Sequence, residues 1–349
     1  MDSLQETISA RPWRAAEPPK RILVIRFHAI GDVAITLPSC VSLRKRFPDA
    51  RIDFLTSEES KLLPSSVDLF DSIIGIGTRG SQWVRLWGAL ILGIRLGVNR
   101  YGLVLDLQRN WMSRLVRWLS FPAAWSEFDR FSPQSSGERV AQAFRAAGVG
   151  NGAAPGPLPV RRDLLERGRG ILEAKGWDGI QKLIVLNPAG LWETRNWPLA
   201  GYVEFSRRWL DEEPVKFVLL GTERIREKAS LLNGALGASL LNLVGETSLD
   251  EAMAVLQYCS LILTEDSGLM HMGWTSGIPT LALFGSSRHD WSRPLGEHTL
   301  CLHSGDLPCG ACMEPTCRFG DVHCLTRYSA AQVFEASRTI AATAVVVRV

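Results

Sequence analysis

Residues 264–285 read Thr264-Glu-Asp-Ser-Gly-Leu-Met-His-Met-Gly-Trp-Thr-Ser-Gly-Ile-Pro-Thr-Leu-Ala-Leu-Phe-Gly285, which is a strand end, a tight turn, a helix and a second strand. The apolar run Leu261-Ile-Leu263 suits a buried strand. Asp266-Ser267-Gly268 then supplies a helix N-cap and a glycine at which another backbone or a ligand can approach closely. Leu269-Met-His-Met272 opens the helix, Gly277-Ile-Pro279 closes it, and Thr280-Leu-Ala-Leu-Phe284 is another buried strand. Unpaired backbone N–H groups at such a helix start, aligned with the helix dipole, form an anion site suited to a diphosphate. The competing reading is that Asp266 and Ser267 only cap a helix.

The same grammar opens the chain. Arg21-Ile-Leu-Val-Ile25 is a near-continuous apolar strand, followed by the turn Arg26-Phe-His-Ala-Ile-Gly31-Asp32-Val33 and a helical pattern through Leu37, Val41, Leu43 and Phe47. Further strands are expected at 22–25, 52–55, 72–76, 103–106, 183–187, 217–220, 241–243, 261–264 and 280–284. Helices are expected at 137–147 and 163–175. Strands alternating with helices imply parallel sheets covered on both faces, and hence two doubly wound, Rossmann-like α/β domains. The aperiodic Gly/Pro-rich segment 151–159 is the natural linker. Residues 1–19 read as a loose extension, 20–155 as the first domain, 160–327 as the second, and 328–349 as a final helix.

Composition narrows the function classes. With 46% hydrophobic and 21% charged residues, the 349-residue chain is that of a globular protein large enough for two cores. No apolar run approaches the roughly 18 residues of a membrane span. The first 19 residues lack the apolar segment of a signal peptide, so a cytoplasmic protein is expected. Charge is split: residues 1–150 hold 20 Lys and Arg against 14 Asp and Glu, whereas the remainder holds 19 against 22. In the basic half, Arg79, Arg85, Arg95, Arg100, Arg109, Arg114 and Arg117 are interleaved with Trp83, Trp87, Trp111 and Trp118. That mixture suits an anionic amphiphile, although a solvated basic face is the plainer reading. A pI near 8.5 and the absence of a recognisable binding motif argue against nucleic acid as a partner. The first turn lacks G-x-G-x-x-G, which argues against a nicotinamide oxidoreductase.

Four blocks, in order, make the resemblance specific: R-I-L-V-I-R-F-x-A-I-G-D-V, then N-P-A-G at 187–190, R-N-W-P at 195–198, and E-D-S-G-L-M-H with G-I-P-T-L-A-L-F-G. Across roughly residues 20–336 the chain resembles glycosyltransferase family 9, the bacterial heptosyltransferases. The resemblance implies a GT-B fold, two Rossmann-like domains facing across a cleft, with the last helix crossing back onto the first domain. It also implies an inverting, metal-independent transfer of heptose from ADP-heptose to the lipopolysaccharide inner core. The acceptor would then be an anionic glycolipid reached at the inner face of the cytoplasmic membrane, by peripheral contact. The same chemistry on a protein or another surface glycan, or with another nucleotide-sugar, is the alternative.

Carried over residue by residue, the resemblance makes Asp32 the base for the acceptor hydroxyl and Arg195 the cation on the leaving diphosphate. The family has most often Lys at the latter position, and Arg is a departure that keeps the charge as a planar fork. Thr194, Glu223, Thr247, Asp266, Ser267, Gly268, Leu269 and His271 are the expected donor contacts, with Glu227 a substitute for Glu223. Arg79, Arg85, Arg109 and Arg114 are candidate acceptor contacts.

Cys309, Cys312, Cys317 and Cys324 form C-x2-C-x4-C-x6-C, a spacing open to a structural tetrathiolate site for zinc or iron, or to reduced thiols packed in a loop. Catalysis is expected to require no cofactor. A metal-dependent nucleic-acid-binding module would use the cysteines and the basic half, but it leaves Asp32, Arg195 and the Asp-Ser-Gly turn without a role.

Overall fold

The computed structural model describes residues 8–150 and 156–343. The chain divides into two compact units between Ala154 and Pro155. Most of the expected linker, residues 151–155, lies outside the described residues.

In the first unit, strands β1 (Ala10–Arg11), β2 (Arg21–Ile25), β3 (Arg51–Ser57), β4 (Ser72–Ile76), β5 (Leu103–Asp106) and β6 (Ala124–Glu127) form one sheet in the order β1-β6-β5-β2-β3-β4. The pairings are parallel except for β1, which runs antiparallel to β6 through Ala10 opposite Ser126 and Arg11 opposite Trp125. Leu23, Ile25, Val104, Leu55 and Phe27 are fully buried, because a parallel sheet with helices on its faces leaves no strand face to water.

The second unit repeats the plan with β7 (Lys182–Asn187), β8 (Val215–Leu219), β9 (Leu240–Asn242), β10 (Cys259–Glu265), β11 (Thr280–Phe284) and β12 (Thr299–His303), in the order β12-β11-β10-β7-β8-β9 and all parallel. Each sheet reverses its winding once, between β2 and β5 in the first and between β7 and β10 in the second. At such a reversal the loops leave in opposite directions and open a crevice at the carboxyl ends of the strands. The two turns singled out in the sequence leave β2 and β10, so each lies at a reversal.

Two expectations are corrected. Residues 8–19 are not a loose extension: β1 pairs on the sheet edge, Trp13 N–H donates to the Ala147 carbonyl at 2.9 Å, and the Trp13 ring lies beside Gly102. The final helix, Ala330–Thr343, falls in the second unit and not in the first. Val333, Phe334 and Ile340 belong to the core of the second, where Phe334 meets Trp209 edge-on at 5.3 Å. Strands β6 and β12 and the helices Gln82–Val98 and Trp111–Leu119 escaped the sequence reading. The first of these helices is apolar on more than one face, which blurs the 3.6-residue period.

The helices Gln82–Val98 and Trp111–Leu119 touch at Gly93 and Gly97, where there is no room for a side chain. A Cβ on Gly97 would stand 2.5 Å from the Leu119 carbonyl oxygen. Alanine is the better helix former by about 1 kcal/mol, but overpacking against backbone costs about 1–3 kcal/mol, so the clash wins. Gly97→Ala is therefore expected to destabilise the first unit by about 1 kcal/mol net, read as a lower denaturation midpoint. An increase in stability would show that the helices separate freely.

Candidate active site

The reversal in the second unit is tied shut by polar side chains. Asn187, at the end of β7, donates from Nδ2 to Thr264 Oγ1 at 2.8 Å and to Ser267 Oγ at 2.7 Å, bridging β7 to β10 and to the cap of the following helix. Ser267 is that N-cap, accepting from the Met270 N–H at 3.3 Å, and the helix Gly268–Thr275 runs from it into the core.

Next to Ser267, the buried Glu265 holds the loop that leaves β7. Its Oε2 accepts from the Gly190 N–H at 2.6 Å, and its Oε1 accepts from the Trp197 N–H at 2.7 Å and the Tyr202 hydroxyl at 3.2 Å. Gly190 is needed for the approach, since a Cβ there would lie 2.4 Å from the Arg195 carbonyl oxygen and 2.8 Å from Glu265 Oε2. Lys228 reaches into the same loop, donating to the Pro188 carbonyl at 2.8 Å and to Asn196 Oδ1. Burial pushes the Glu265 carboxyl up to about 7, against the opposing pull of Lys228 and the two amides. Burial also lowers the Lys228 ammonium.

This loop delivers Arg195. The short turn Glu193–Arg195 puts its guanidinium 4.0 Å over the Trp192 ring, with Nη1 3.4 Å from Asp266 Oδ2. The side chain is largely buried, and its Nε has no hydrogen-bond partner among the described residues. Asn187 Oδ1 is buried and unpartnered as well. A forked cation, a buried donor without an acceptor and a helix N-terminus thus occur together at the carboxyl edge of β7 and β10, an arrangement that can receive a phosphate.

The other expected donor residues divide. Gly268 and Leu269 form the first turn of the helix, part-buried, and Asp266 is placed by its pair with Arg195. His271 is buried, and its Nδ1 accepts from Trp274 Nε1–H at 3.0 Å, which puts the proton of the neutral ring on Nε2. The Thr194 hydroxyl is bonded within the second unit, to Ser286 Oγ at 2.8 Å and the Glu314 carbonyl at 2.5 Å, where it ties loops together. Glu223 follows β8, exposed and paired with Arg226; Glu227 is exposed one turn on, and Thr247 is part-buried in the turn after β9.

In the first unit, Asp32 stands on the opening turn of the helix Ile30–Arg46. Its Oδ1 lies 2.9 Å from Arg26 Nη2, its Oδ2 accepts from the Ala29 N–H at 3.1 Å, and a third of the side chain is exposed (34%). Arg26 is itself fixed, donating to the Leu107 carbonyl and packed 4.6 Å from the Phe128 ring centre.

Two of the proposed acceptor arginines are taken. Buried Glu127 collects Arg114 at 2.8 Å, Arg109 at 3.2 Å and Arg117, while Arg109 also pairs with Asp129 at 3.2 Å. Arg79 is exposed and pairs with Glu59 at 2.9 Å; Arg85 is half-buried on the helix Gln82–Val98.

The four clustered cysteines line a cavity of about 790 Å³ together with Thr194, Ser286 and Ser304. They are near enough for the other three to help raise Cys324, after burial, to about 11. The tetrathiolate alternative is nevertheless not supported. Among the described residues, no three His, Cys, Asp or Glu side chains are placed to hold one metal ion.

Glu265, Asn187 and Lys228 were not assigned roles from the sequence, though Glu265 lies inside the decisive stretch. A carboxylate immediately before an N-cap, at the buried end of a strand, was the available signal.

Two units, each a doubly wound and mainly parallel sheet with a polar turn at its reversal, define a two-domain α/β protein with the GT-B fold. Residues 166–323 match the profile of glycosyltransferase family 9 (heptosyltransferase). The chain is similar to lipopolysaccharide heptosyltransferase 1 of Pseudomonas aeruginosa, 25% identical over 86% of this chain and 88% of that one. In structure it resembles a glycosyltransferase family 9 protein from Veillonella parvula, with a TM-score of 0.79 and 20% identity over 94% and 99% of the two chains. It also resembles the E. coli ADP-heptose lipopolysaccharide heptosyltransferase II, with a TM-score of 0.71 and 22% identity over 92% and 98%. The family match thus falls within the second unit, and the similarity to a lipopolysaccharide heptosyltransferase extends over most of the chain.

The Glu265 clasp generates a pH dependence. The carboxyl ionises near 4.5 when unfolded and near 7 when folded, so between these values the folded state binds more protons. The stability it contributes is fully present below about 4.5 and is lost as pH rises through about 7, a change on the order of 3 kcal/mol. Chemical denaturation from pH 4.5 to 7.5 should show this decline in the wild type and not in Glu265→Gln, whose amide cannot accept from both backbone donors. Parallel pH profiles would overturn the assignment.

Proposed function

We propose that the chain is an inverting glycosyltransferase that transfers heptose from ADP-heptose to the lipopolysaccharide inner core, an anionic glycolipid reached by peripheral contact with the membrane. The observation that carries the donor half is the buried, unpartnered Arg195 Nε beside the helix start Ser267–Gly268, at the sheet reversal of the second unit. The names of the relatives support the sugar and the acceptor class.

In this reading Asp32 takes the proton of the acceptor hydroxyl as the oxygen attacks the anomeric carbon from the face opposite the diphosphate. The bond from that carbon to the donor's phosphate oxygen breaks, and ADP leaves with the electron pair, inverting the centre. Arg195 and the amides at Gly268 and Leu269 meet the negative charge that develops on the diphosphate, so no cofactor is called on. Asp266 holds the guanidinium before the donor arrives and is placed to accept from a sugar hydroxyl. Glu223 and Thr247, on the turns after β8 and β9, take the nucleoside, and His271 steadies the opening turn of the donor helix. Because a surface carboxylate is a weak base, most of the rate comes from positioning and leaving-group stabilisation.

Two substitutions test the two halves. Asp32→Asn should lower kcat by at least about a hundredfold while the thermal shift given by ADP-heptose stays as in the wild type. Turnover within a few-fold of wild type would remove Asp32 from the chemistry.

Arg195→Ala should weaken the thermal shift with ADP-heptose and slow transfer, and Arg195→Lys should recover much of both because the charge returns. Equal losses would make Arg195 a packing residue, and a larger shift with UDP- or GDP-sugars would overturn the donor.

A further inference from the structure

The helix Gln82–Val98 carries a continuous apolar stripe that none of the described residues covers. Trp83, Trp87, Ile91, Ile94 and Val98 recur at intervals of three and four residues, which places them on one side of the helix. All five are exposed, from 56% at Ile94 to 80% at Val98. The opposite side, through Ala89, Gly93 and Leu96, is the one packed in the core. A helix that buries one face and bares a second with two tryptophans is not explained by folding.

Charge says what covers it. Between Asp71 and Asp106 the sequence holds Arg79, Arg85, Arg95 and Arg100 and not one Asp or Glu. Arg95 and Arg100 are exposed at the far end of the helix. A second copy docking by two-fold symmetry would set Arg95 and Arg100 against their equivalents if the helices ran parallel, or against the Arg79–Arg85 end if antiparallel, with no carboxylate in this segment to pair them, which is repulsive. An anionic bilayer supplies both an apolar layer for the stripe and a negative plane for the arginines. Tryptophan also prefers the boundary between the two. The neighbouring helix adds exposed Trp118, and Phe121 follows it, beside the contact of Leu119 with Gly97. At 17 residues with two arginines, the helix is not long and apolar enough to cross a membrane, and no described helix is.

We propose that the helix Gln82–Val98 lies in the plane of an anionic lipid surface, with Trp83, Trp87, Ile91, Ile94 and Val98 sunk toward the acyl chains and Arg95 and Arg100 at the headgroups. It deepens the reading of the acceptor as a glycolipid, on which it rests for its purpose, by naming the docking element. It is tested without donor or acceptor.

The full chain is sedimented with phosphatidylcholine vesicles and with vesicles containing about one-third phosphatidylglycerol, across a salt series. Binding is expected to the anionic vesicles, weakening with salt, with a blue shift of tryptophan fluorescence. The triple substitution Trp83→Ser, Trp87→Ser, Ile91→Ser should weaken it by at least about tenfold, and Arg95→Glu with Arg100→Glu should do likewise. These positions are exposed, and circular dichroism checks that the variants are folded. Binding of the triple variant equal to wild type would overturn the proposal, as would wild type that ignores both vesicle types. A wild-type dimer that the triple variant dissolves, with no lipid binding, would assign the stripe to a second copy. The thermal shift with ADP-heptose, unchanged in the variants, reports separately on the proposed function.

Discussion

Burying a carboxylate is costly unless every lone pair facing the protein is answered, and the second unit is arranged around one such group. Glu265 sits at the end of β10 with two backbone amides and a tyrosine hydroxyl converging on it. Because those amides belong to Gly190 and Trp197, the carboxylate pins both ends of the segment that contains Arg195. The loop cannot relax without leaving a buried acceptor unsatisfied, a cost greater than that of one ordinary hydrogen bond. Arg195, stacked on Trp192 and facing Asp266, inherits its position from that constraint. Asn187 does the same for the other wall, joining β7 to the N-cap Ser267. The anion-binding features are thus secured by groups that need not touch the ligand.

The first unit solves a related problem with the opposite charge. Glu127 and Asp106 lie buried at the carboxyl ends of adjacent parallel strands, and burial raises Asp106. Arg109, Arg114 and Arg117 close around them, with Arg117 also 3.9 Å over the Trp125 ring. This cluster uses most of the basic charge that the sequence places near the turn after β5, so less of it is open to an acceptor than a count of arginines implies. Arg26, held between the Leu107 carbonyl and the Phe128 ring, remains to orient Asp32. Positive charge in this unit therefore divides into a buried share that organises the turns and an exposed share on and near the helix Gln82–Val98.

That division gives the two halves of the chain different tasks. The second unit spends its polar groups on ordering a largely buried turn region that can receive a phosphate. The first presents one carboxylate at its turn and, on the helix Gln82–Val98, an apolar stripe bordered by arginine. A glycosyltransferase acting on an amphiphile needs both: a dry, charged place for the leaving nucleotide and a surface compatible with the phase in which the acceptor resides.

Much of this was legible in residue order. Apolar runs at 22–25, 103–106 and 280–284 specified buried strands, since only a sheet covered on both faces tolerates uninterrupted hydrophobic residues, whereas the run at 72–76 forms a half-buried edge strand. The Gly-Asp and Asp-Ser-Gly turns announced their strand-to-helix corners through local capping chemistry, which needs no distant partner. Strand β1 and the final helix were misplaced because their docking is decided by which free edge or apolar face the finished unit offers. The internal partners of Thr194, Arg109 and Arg114 escaped the sequence for the same reason: which hydroxyl or guanidinium a buried acceptor engages is decided by the fold. Ser286, Glu314 and Glu127, the partners, are 92, 120 and 13–18 residues away in sequence. Local chemistry and periodicity thus determined the strands, the turns and the chemical types at the reversals. Only the tertiary structure decided which charges were spent inside and which were left for function, because burial and partnership are properties of the fold and not of residue order.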